Sequence, residues 1–170
     1  KFQLISTDKA VSPSNIMGAT KKIVEDYIQN LVESDNKFGT IFSIVRFGNV
    51  FGSSGSVVEL FYNQIISGGP ITITNKEVTR YFISIHEAVN LVLHSLNISN
   101  GGEIFILDMG EPYKIYSLAK KMLEISGYTE KNKHNPDGQI EFKFIGLQQG
   151  EKIQEKLTKS ENLIKTKYNN

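Results

Sequence analysis

The chain has 170 residues and no cysteine, and its 19 basic and 18 acidic side chains leave a formal net charge of +1. With 39% apolar and 22% charged residues, its composition is that of a globular protein rather than a disordered one. The balanced charge argues against a nucleic-acid partner, and the lack of cysteine excludes disulfides, thiolate zinc sites and a cysteine nucleophile. No apolar run reaches the roughly 18 residues of a membrane span, so we expect no membrane contact from this segment.

The first 47 residues alternate between β-type and helical patterns. Residues 2–6 and 40–47 are apolar runs that predict buried strands, the second being rich in β-branched and aromatic side chains. Between them, apolar residues recur with the period of an amphipathic helix over residues 15–34, and the segment DNKFG at residues 35–39 breaks the pattern. Strand, helix and strand in this order predict a βαβ unit with parallel pairing and a right-handed crossover.

Shorter elements follow a glycine- and serine-rich loop at residues 48–56. The sequence predicts helices at residues 57–67, 86–96 and 115–125, strands at residues 71–74, 81–85, 103–107 and 140–145, and polar segments at residues 131–138 and 162–170. The predicted fold class is therefore α/β. Residues 1–52 form the C-terminal part of a Rossmann-type parallel sheet, residues 53–160 form a small α+β portion, and residues 161–170 form a polar tail.

Polar side chains gather where the two strands of the predicted βαβ unit end. The first strand runs into Ser6, Thr7, Asp8 and Lys9, and the second is followed by Asn49. Ligands of open α/β sheets bind outside the carboxyl ends of the strands, which makes these residues candidates for a functional site. The alternative is a simple capped turn that leads into the helix.

The predicted helix adds two further candidates, Met17 and Lys21. They lie four positions apart and therefore share one face of the helix. Lys21 either reaches a ligand beyond the first strand or is only solvated. The three histidines lack the spacing of metal ligands, so no metal site is predicted.

Five segments carry longer motifs, namely STDKAVSPSNIMGATKK, VRFGNVFGSSGSVVELF, ITITNKEVTRYFISIHEAV, GGEIFILDMGEPYKIYSLAKKML and GLQQGEKIQEKL. In this order, from residue 1 to about residue 158, they resemble the nucleotide-sugar 4,6-dehydratases of bacterial polysaccharide biosynthesis. These enzymes are extended short-chain dehydrogenase/reductases. The group that acts on UDP-N-acetylglucosamine is especially similar. The resemblance implies NAD as the cofactor, a UDP-sugar as the substrate and a 4-keto-6-deoxy sugar as the product.

The resemblance implies roles for the residues that follow the first strand. The serine, tyrosine and lysine of the family match Ser6 or Thr7, Met17 and Lys21. Ser6 and Lys21 would then contact the cofactor, with Lys21 on the nicotinamide ribose. A thioether has no transferable proton, so Met17 cannot act as a general base. One subgroup of these dehydratases resembles this chain in having methionine at that position.

The proton transfers then fall to Thr7, Asp8 and Lys9. Dehydration needs an acid that protonates the departing C6 hydroxyl and a base that removes the C5 proton. By analogy with the family, Asp8 fits the acid and Lys9 fits the base.

The resemblance also implies a binding site for the UDP-sugar. Its predicted members are Asn49, Ser56, Val57, Arg80 and Glu151. Arg80 is one of only two arginines in the chain, and a planar guanidinium suits paired phosphate oxygens. Gln148 departs from the family, which usually has arginine there. Because a neutral amide cannot neutralise a phosphate, this change implies weaker binding or an altered substrate.

The sequence contains no GxGxxG motif, and it begins without methionine inside an apolar segment. We therefore expect the pyrophosphate of NAD to be held by an N-terminal half outside this sequence, and this segment alone to be inactive. The expected parent is a cytoplasmic homo-oligomer, which in some members of the resembled group is anchored at the inner face of the membrane. Two alternatives stay open: a UDP-sugar epimerase of the same superfamily, and an inactive nucleotide-sugar-binding fragment.

Overall fold

The computed structural model describes residues 1–34, 39–159 and 163–166. Most of the predicted break at residues 35–39 lies outside these ranges. So do residues 161–162 and 167–170 of the predicted tail. The described part of the chain forms helices and mostly short strands in an α/β arrangement, which confirms the predicted fold class.

Helices and their caps follow the sequence closely. The helices of the described ranges are α1 (Ile16–Glu33), α2 (Val57–Ile66), α3 (Ile85–Ile98) and α4 (Ile115–Ile125). The Asn15 side chain accepts the Gly18 N–H at 2.8 Å, which satisfies one of the donors left open at the start of α1. Ser84 caps α3 by accepting the Glu87 N–H. Each helix starts within one residue of its predicted position.

The strands depart from the predictions in several places. They are β1 (Phe2–Thr7), β2 (Phe42–Phe47), β3 (Asn49–Val50), β4 (Ile71–Ile73), β5 (Thr79–Arg80), β6 (Phe82–Ile83), β7 (Ile104–Ile106), β8 (Tyr113–Lys114), β9 (Glu130–Lys131) and β10 (Ile140–Phe144). The predicted loop at residues 48–56 contains the strand β3, and the short strands β5 and β8 were not predicted. The prediction of a strand over residues 81–85 is wrong at its end, because Ile85 already belongs to α3. The prediction of a loop from residue 131 is wrong at its start, because Lys131 pairs with Glu141.

The first sheet has the strand order β1-β2-β7, and all its strands are parallel. Its register places Ser6 opposite Arg46, and Ile44 and Val45 in the central strand are fully buried. This arrangement confirms the predicted parallel βαβ unit. The sheet takes its third strand from residues 104–106, beyond the predicted division at residue 52. That division into domains stays a prediction.

A second core fills the later part of the chain. There, α2 and α4 pack on the parallel pair of β4 and β10. The buried residues of this core are Phe61, Ile65, Ile71, Ile73, Val78, Ile115, Ala119, Leu123, Ile140 and Phe142. Their apolar area gives this portion a hydrophobic core of its own.

The short strand pair β3–β6 brings the two parts of the candidate site together. After β2, the chain continues through Gly48 into β3, which pairs in parallel with β6 so that Asn49 lies opposite Phe82. Only Tyr81 separates β6 from β5. Arg80 is therefore held two residues from the partner of Asn49, close to the carboxyl end of the first sheet.

Helix α1 has one packed face and one exposed apolar stripe. Ile28 and Glu25 are buried against the first sheet, whereas Ile16, Ile23 and Tyr27 are 84%, 67% and 62% exposed. The sequence does not show which of these two stripes is buried, because the residues of each stripe recur at helical spacing. None of the helices in the described ranges is both long and apolar enough to cross a membrane.

Candidate functional site

A hydrogen-bonded group of three side chains follows β1. The chain leaves the strand at Thr7 and turns through a short 3-10 helix, Asp8–Ala10. The Thr7 hydroxyl donates to Asp8 Oδ1 at 2.8 Å, and Lys9 Nζ donates to the same oxygen at 3.0 Å. We call Thr7, Asp8 and Lys9 the acid–base cluster. The predicted candidates of this turn therefore lie in direct contact with one another.

The Asp8 carboxyl is fully buried, and its two oxygens differ. Oδ1 accepts both hydrogen bonds of the cluster, whereas Oδ2 makes none to the described residues. A β-carbon at Gly48 would lie 3.4 Å from Oδ2 and 2.9 Å from Tyr81 Cβ. A buried polar atom without a partner is costly, so such an atom in a native structure calls for an explanation such as a catalytic role or an unseen partner.

Asn49 joins the acid–base cluster from the second strand. Its side-chain oxygen accepts a hydrogen bond from Lys9 Nζ at 3.3 Å. The backbone N–H of Asn49 donates to the carbonyl oxygen of Tyr81, which fixes β3 beside β6. The carboxyl ends of β1 and β2 thus meet as their parallel pairing requires. Tyr81 lies next to the cluster, although the sequence motifs gave it no role.

The two candidates on α1 lie near the same edge of the sheet. Lys21 Nζ donates to the carbonyl oxygen of Ile5 at 3.1 Å, which is its only hydrogen bond to the described residues. Its ammonium group therefore retains two further donors. Met17 is 47% exposed, one turn before Lys21.

Helix α1 approaches the cluster through Gly18. A β-carbon at this position would lie 2.5 Å from the carbonyl oxygen of Lys9, so only glycine lets the helix pack this closely on the 3-10 turn. The position of the helix, and of Met17 and Lys21 on it, is thus set against the backbone of the acid–base cluster.

Replacing Gly18 with alanine should destabilise the protein, although alanine is by about 1 kcal/mol the better helix former. The new methyl group would strike a backbone oxygen that cannot move without distorting the turn, and overpacking of this kind costs about 1–3 kcal/mol. Urea denaturation should show the loss. Thr20→Ala, at an exposed position of the same helix, is the control and should change the free energy of unfolding little. A Gly18→Ala variant that is as stable as this control would contradict the close approach.

Arg80 forms the second part of the candidate site, and it is almost fully buried. Its Nη1 donates to the carbonyl oxygens of Thr79 and Ile153 at 2.7 and 3.3 Å, and its Nη2 donates to Glu151 Oε1 at 3.3 Å. Arg80 and Glu151, both predicted members of the UDP-sugar site, therefore contact each other. A guanidinium has five donors, so two are left for a ligand.

Glu151 belongs to an irregular segment, residues 146–155, which we call the strap. Its Oε1 also accepts from the Thr74 hydroxyl at 2.9 Å, and its Oε2 accepts the backbone N–H of Gln148 at 3.1 Å. The Gln148 side chain is exposed, and in the part of the chain that the structure describes its one hydrogen bond goes to the carbonyl oxygen of Gly146, within the strap. The strap thus holds Glu151 in a fixed position, while Gln148 faces solvent.

The start of α2 offers a set of unused donors. Ser56 occupies the N-cap position before Val57 but makes no side-chain capping bond, and its buried Oγ has no partner among the described residues. The Gly55 N–H is instead taken by the Glu59 side chain at 2.7 Å. The geometry leaves Ser56 and the N–H groups of the first turn available for an acceptor.

Ser6 points away from this site. Its hydroxyl donates to Glu25 Oε1 at 2.6 Å, and the same carboxylate accepts two hydrogen bonds from Arg46, at 2.7 and 2.6 Å. All three residues are buried. Of the two hydroxyls that match the family's serine, Thr7 is therefore the one in the acid–base cluster. Arg46 is the second of the two arginines, and the sequence does not indicate its partner Glu25, which lies 21 positions away on α1.

The parallel sheet and its flanking helices define an α/β protein with a Rossmann-like fold. The solved structure of DesIV, a dTDP-glucose 4,6-dehydratase from Streptomyces venezuelae with NAD bound, superposes with a TM-score of 0.74. That likeness covers 89% of this chain and 49% of DesIV at 15% identity, and it shows the fold alone.

The chain belongs to the family described as polysaccharide biosynthesis protein, which it matches over residues 1–170. CapD, a capsular polysaccharide biosynthesis protein of Staphylococcus aureus, is 54% identical over 92% of this chain and 25% of its own length. A UDP-glucose 4-epimerase of Rickettsia canadensis is 38% identical over 97% of this chain and 45% of its own length. The chain thus spans between a quarter and a half of these relatives.

Proposed function

We propose that the chain is the substrate-binding and catalytic part of an NAD-dependent enzyme that dehydrates a UDP-N-acetylhexosamine. UDP-N-acetylglucosamine is the substrate we favour, and a 4-keto-6-deoxy sugar for surface polysaccharide is the product. The acid–base cluster of Thr7, Asp8 and Lys9 is the observation that carries this proposal. It supplies an acid and a base side by side, as the removal of water requires. Family membership and the likeness to CapD support the role in polysaccharide biosynthesis.

The proton chemistry divides between Asp8 and Lys9. Lys9 Nζ takes the proton from C5 of the sugar, and the Asp8 carboxyl gives a proton to the C6 hydroxyl, which leaves as water. Thr7 is partly exposed and bonded to Asp8, so its hydroxyl provides a path from the buried carboxyl to the crevice. The O4 proton, released as C4 is oxidised, would reach Asp8 through the Thr7 hydroxyl and replace the proton given to the C6 hydroxyl. Lys9 would then return its proton to C5 when a hydride is delivered to C6.

The residues near α1 fit the ribose of a nicotinamide cofactor. The free donors of Lys21 suit two ribose hydroxyls, and Ser6 and Lys21 stay our predicted cofactor contacts, although the bond from Ser6 to Glu25 favours Lys21. When bound, NAD supplies a reversible hydride acceptor for the chemistry at C4. Met17 has no proton to transfer, so in this proposal the acid–base work falls to the cluster, as expected for the subgroup with methionine that the sequence resembles.

The nucleotide lies on the other side of the proposed site. Arg80 and Asn49 bind the diphosphate, and the first turn of α2, at Ser56 and Val57, offers backbone donors to it. Glu151 binds the ribose. The burial of Arg80 supports this assignment, because a shielded guanidinium attracts phosphate more strongly than an exposed one.

An epimerase that acts on a UDP-sugar is the second candidate, and the likeness to the Rickettsia enzyme supports it. Epimerisation at C4 moves a hydride but expels no hydroxyl, so it needs no acid at C6. The pairing of Asp8 with Lys9 therefore favours dehydration. A nucleotide-sugar-binding segment without activity is the third candidate, and Gln148 supports it. The homo-oligomer and the cytoplasmic location stay predictions.

The decisive experiment incubates the longest natural polypeptide that contains these residues with UDP-N-acetylglucosamine and NAD. Mass spectrometry of the product separates the candidates. We expect a sugar nucleotide lighter by one water, carrying a ketone that hydrazine traps. A product of unchanged mass with inverted C4 would establish the epimerase, and unchanged substrate that still binds would establish the inactive binding protein.

Introducing the family's arginine should strengthen nucleotide binding. In Gln148→Arg, we expect the dissociation constant of UDP to fall by about 3- to 10-fold, because one partly exposed charge-assisted hydrogen bond is worth about 1 kcal/mol. Isothermal titration calorimetry gives the measurement. Gln149→Arg adds the same charge at the next exposed position and serves as the matched control. An equal gain in both variants would mean that general attraction, not the position of residue 148, is responsible.

A further inference from the structure

Ser14 joins the strap to the start of α1. Its hydroxyl donates to the carbonyl oxygen of Gly150 at 2.7 Å, across 136 positions of sequence. Gly150 has a φ of +76°, and a β-carbon there would lie 2.4 Å from the Ser14 carbonyl oxygen. The two backbones are therefore in contact, and glycine is required on the side of the strap.

The other hydrogen bonds of the strap connect it to a different part of the chain. Its hydrogen bonds to the rest of the described chain come from Thr74, Thr79 and Arg80, all near the nucleotide side of the site, and from Ser14. Ser14 thus makes the one direct hydrogen bond, among the described residues, from the strap to the βαβ unit that holds the acid–base cluster.

On the side of α1, the contacts continue to that cluster. Asn15, next to Ser14, caps the helix through Gly18, and Gly18 lies against the carbonyl oxygen of Lys9. On the side of the strap, Gly150 precedes Glu151, which bonds Arg80. An unbroken series of contacts therefore joins Arg80, on the nucleotide side of the proposed site, to Lys9 in the acid–base cluster.

We propose that Ser14 is a positioning residue that holds the nucleotide-binding strap in register with the acid–base cluster. Binding of UDP at Arg80 and Glu151 then also fixes the start of α1, and with it Lys9. The proposal rests on the proposed function, in which the strap binds the nucleotide. Coupling of this kind needs two sites that bias one shared element, and the start of α1 is that element here.

The test is a titration of the isotope-labelled chain with UDP, followed by the backbone amide signals of Gly18, in α1, and Ile153, in the strap. UDP lacks the sugar, so it reports on the nucleotide side alone. In the natural sequence we expect both signals to shift with the same concentration dependence. In Ser14→Ala the Ile153 signal should still shift, whereas the shift at Gly18 should be lost.

Two further variants make the test specific. Ser14→Thr keeps the hydroxyl and should restore the shift at Gly18. Ser126→Ala removes a similar bond, from an exposed serine to the carbonyl oxygen of Met122 at 2.9 Å, and should leave both shifts unchanged. A Gly18 shift that survives in Ser14→Ala, or that is absent from the natural sequence while Ile153 responds, overturns the positioning role alone. If no signal responds to UDP, the proposed function fails and the positioning role fails with it.

Discussion

Replacing Arg80 with alanine should weaken UDP binding by about 10- to 150-fold. A hydrogen bond to a charged group contributes about 1.5–3 kcal/mol, and each 1.4 kcal/mol is a factor of ten in affinity. The guanidinium is almost fully buried, so little solvent screens its attraction to a phosphate. Its removal also leaves Glu151 without its cationic partner, and the uncompensated carboxylate repels the diphosphate. Calorimetric titration with UDP measures the loss directly.

Two variants separate the role of Arg80 from general charge. Arg80→Lys keeps the positive charge but loses the planar pair of donors, so its affinity should lie between those of the natural sequence and Arg80→Ala. Lys114→Ala removes an exposed charge on β8, the strand that pairs with β5, and should leave the affinity unchanged. If Arg80→Ala folds as judged by circular dichroism and binds UDP as tightly as Lys114→Ala, the nucleotide site lies elsewhere.

The sequence could predict that the acid–base cluster lies beside Asn49, because the topology of the sheet brings the two together. Parallel strands end at one edge of a sheet, so a strand–helix–strand pattern places Asp8 and Asn49 close to each other before any coordinate is known. Lys9 indeed bridges them. The sequence could not predict that Asp8 Oδ2 has no partner among the described residues, because this depends on where Gly48 and Tyr81 pack.

Sequence reasoning could not predict the contacts between segments that are distant in the chain. Arg80 and Glu151 are 71 positions apart, and the residues between them include two helices, α3 and α4, and five strands. The resemblance assigned both residues to the ligand, and no local pattern indicates that they bond each other. The sequence also does not show which apolar stripe of α1 is buried. Ile23 and Ile28 both lie in stripes with helical spacing, and of these two only Ile28 packs in the core.

Replacing Glu25 with alanine should destabilise the protein by about 3–5 kcal/mol. The substitution leaves the Arg46 guanidinium buried without its anion, and an unpaired buried charge is far more costly than the loss of the pair itself. Ser6 loses its acceptor in the same step. The melting temperature should fall by about 6–20 °C, since 1 kcal/mol corresponds to about 2–4 °C in a protein of this size. Differential scanning calorimetry gives the measurement.

Comparison with an exposed pair shows why burial decides the result. Lys22 and Asp26 form an ion pair on the solvent side of the same helix, and Lys22→Ala should cost only about 0.3–0.5 kcal/mol. The double variant Glu25→Leu/Arg46→Met removes both buried charges together and should recover most of the stability, because apolar groups of similar volume replace an ion pair at little cost. A Glu25→Ala protein as stable as Lys22→Ala would mean that the buried pair does not hold α1 on the sheet. If the prediction holds, the position of Lys21, one turn before Glu25, depends on an ion pair that takes no part in the chemistry.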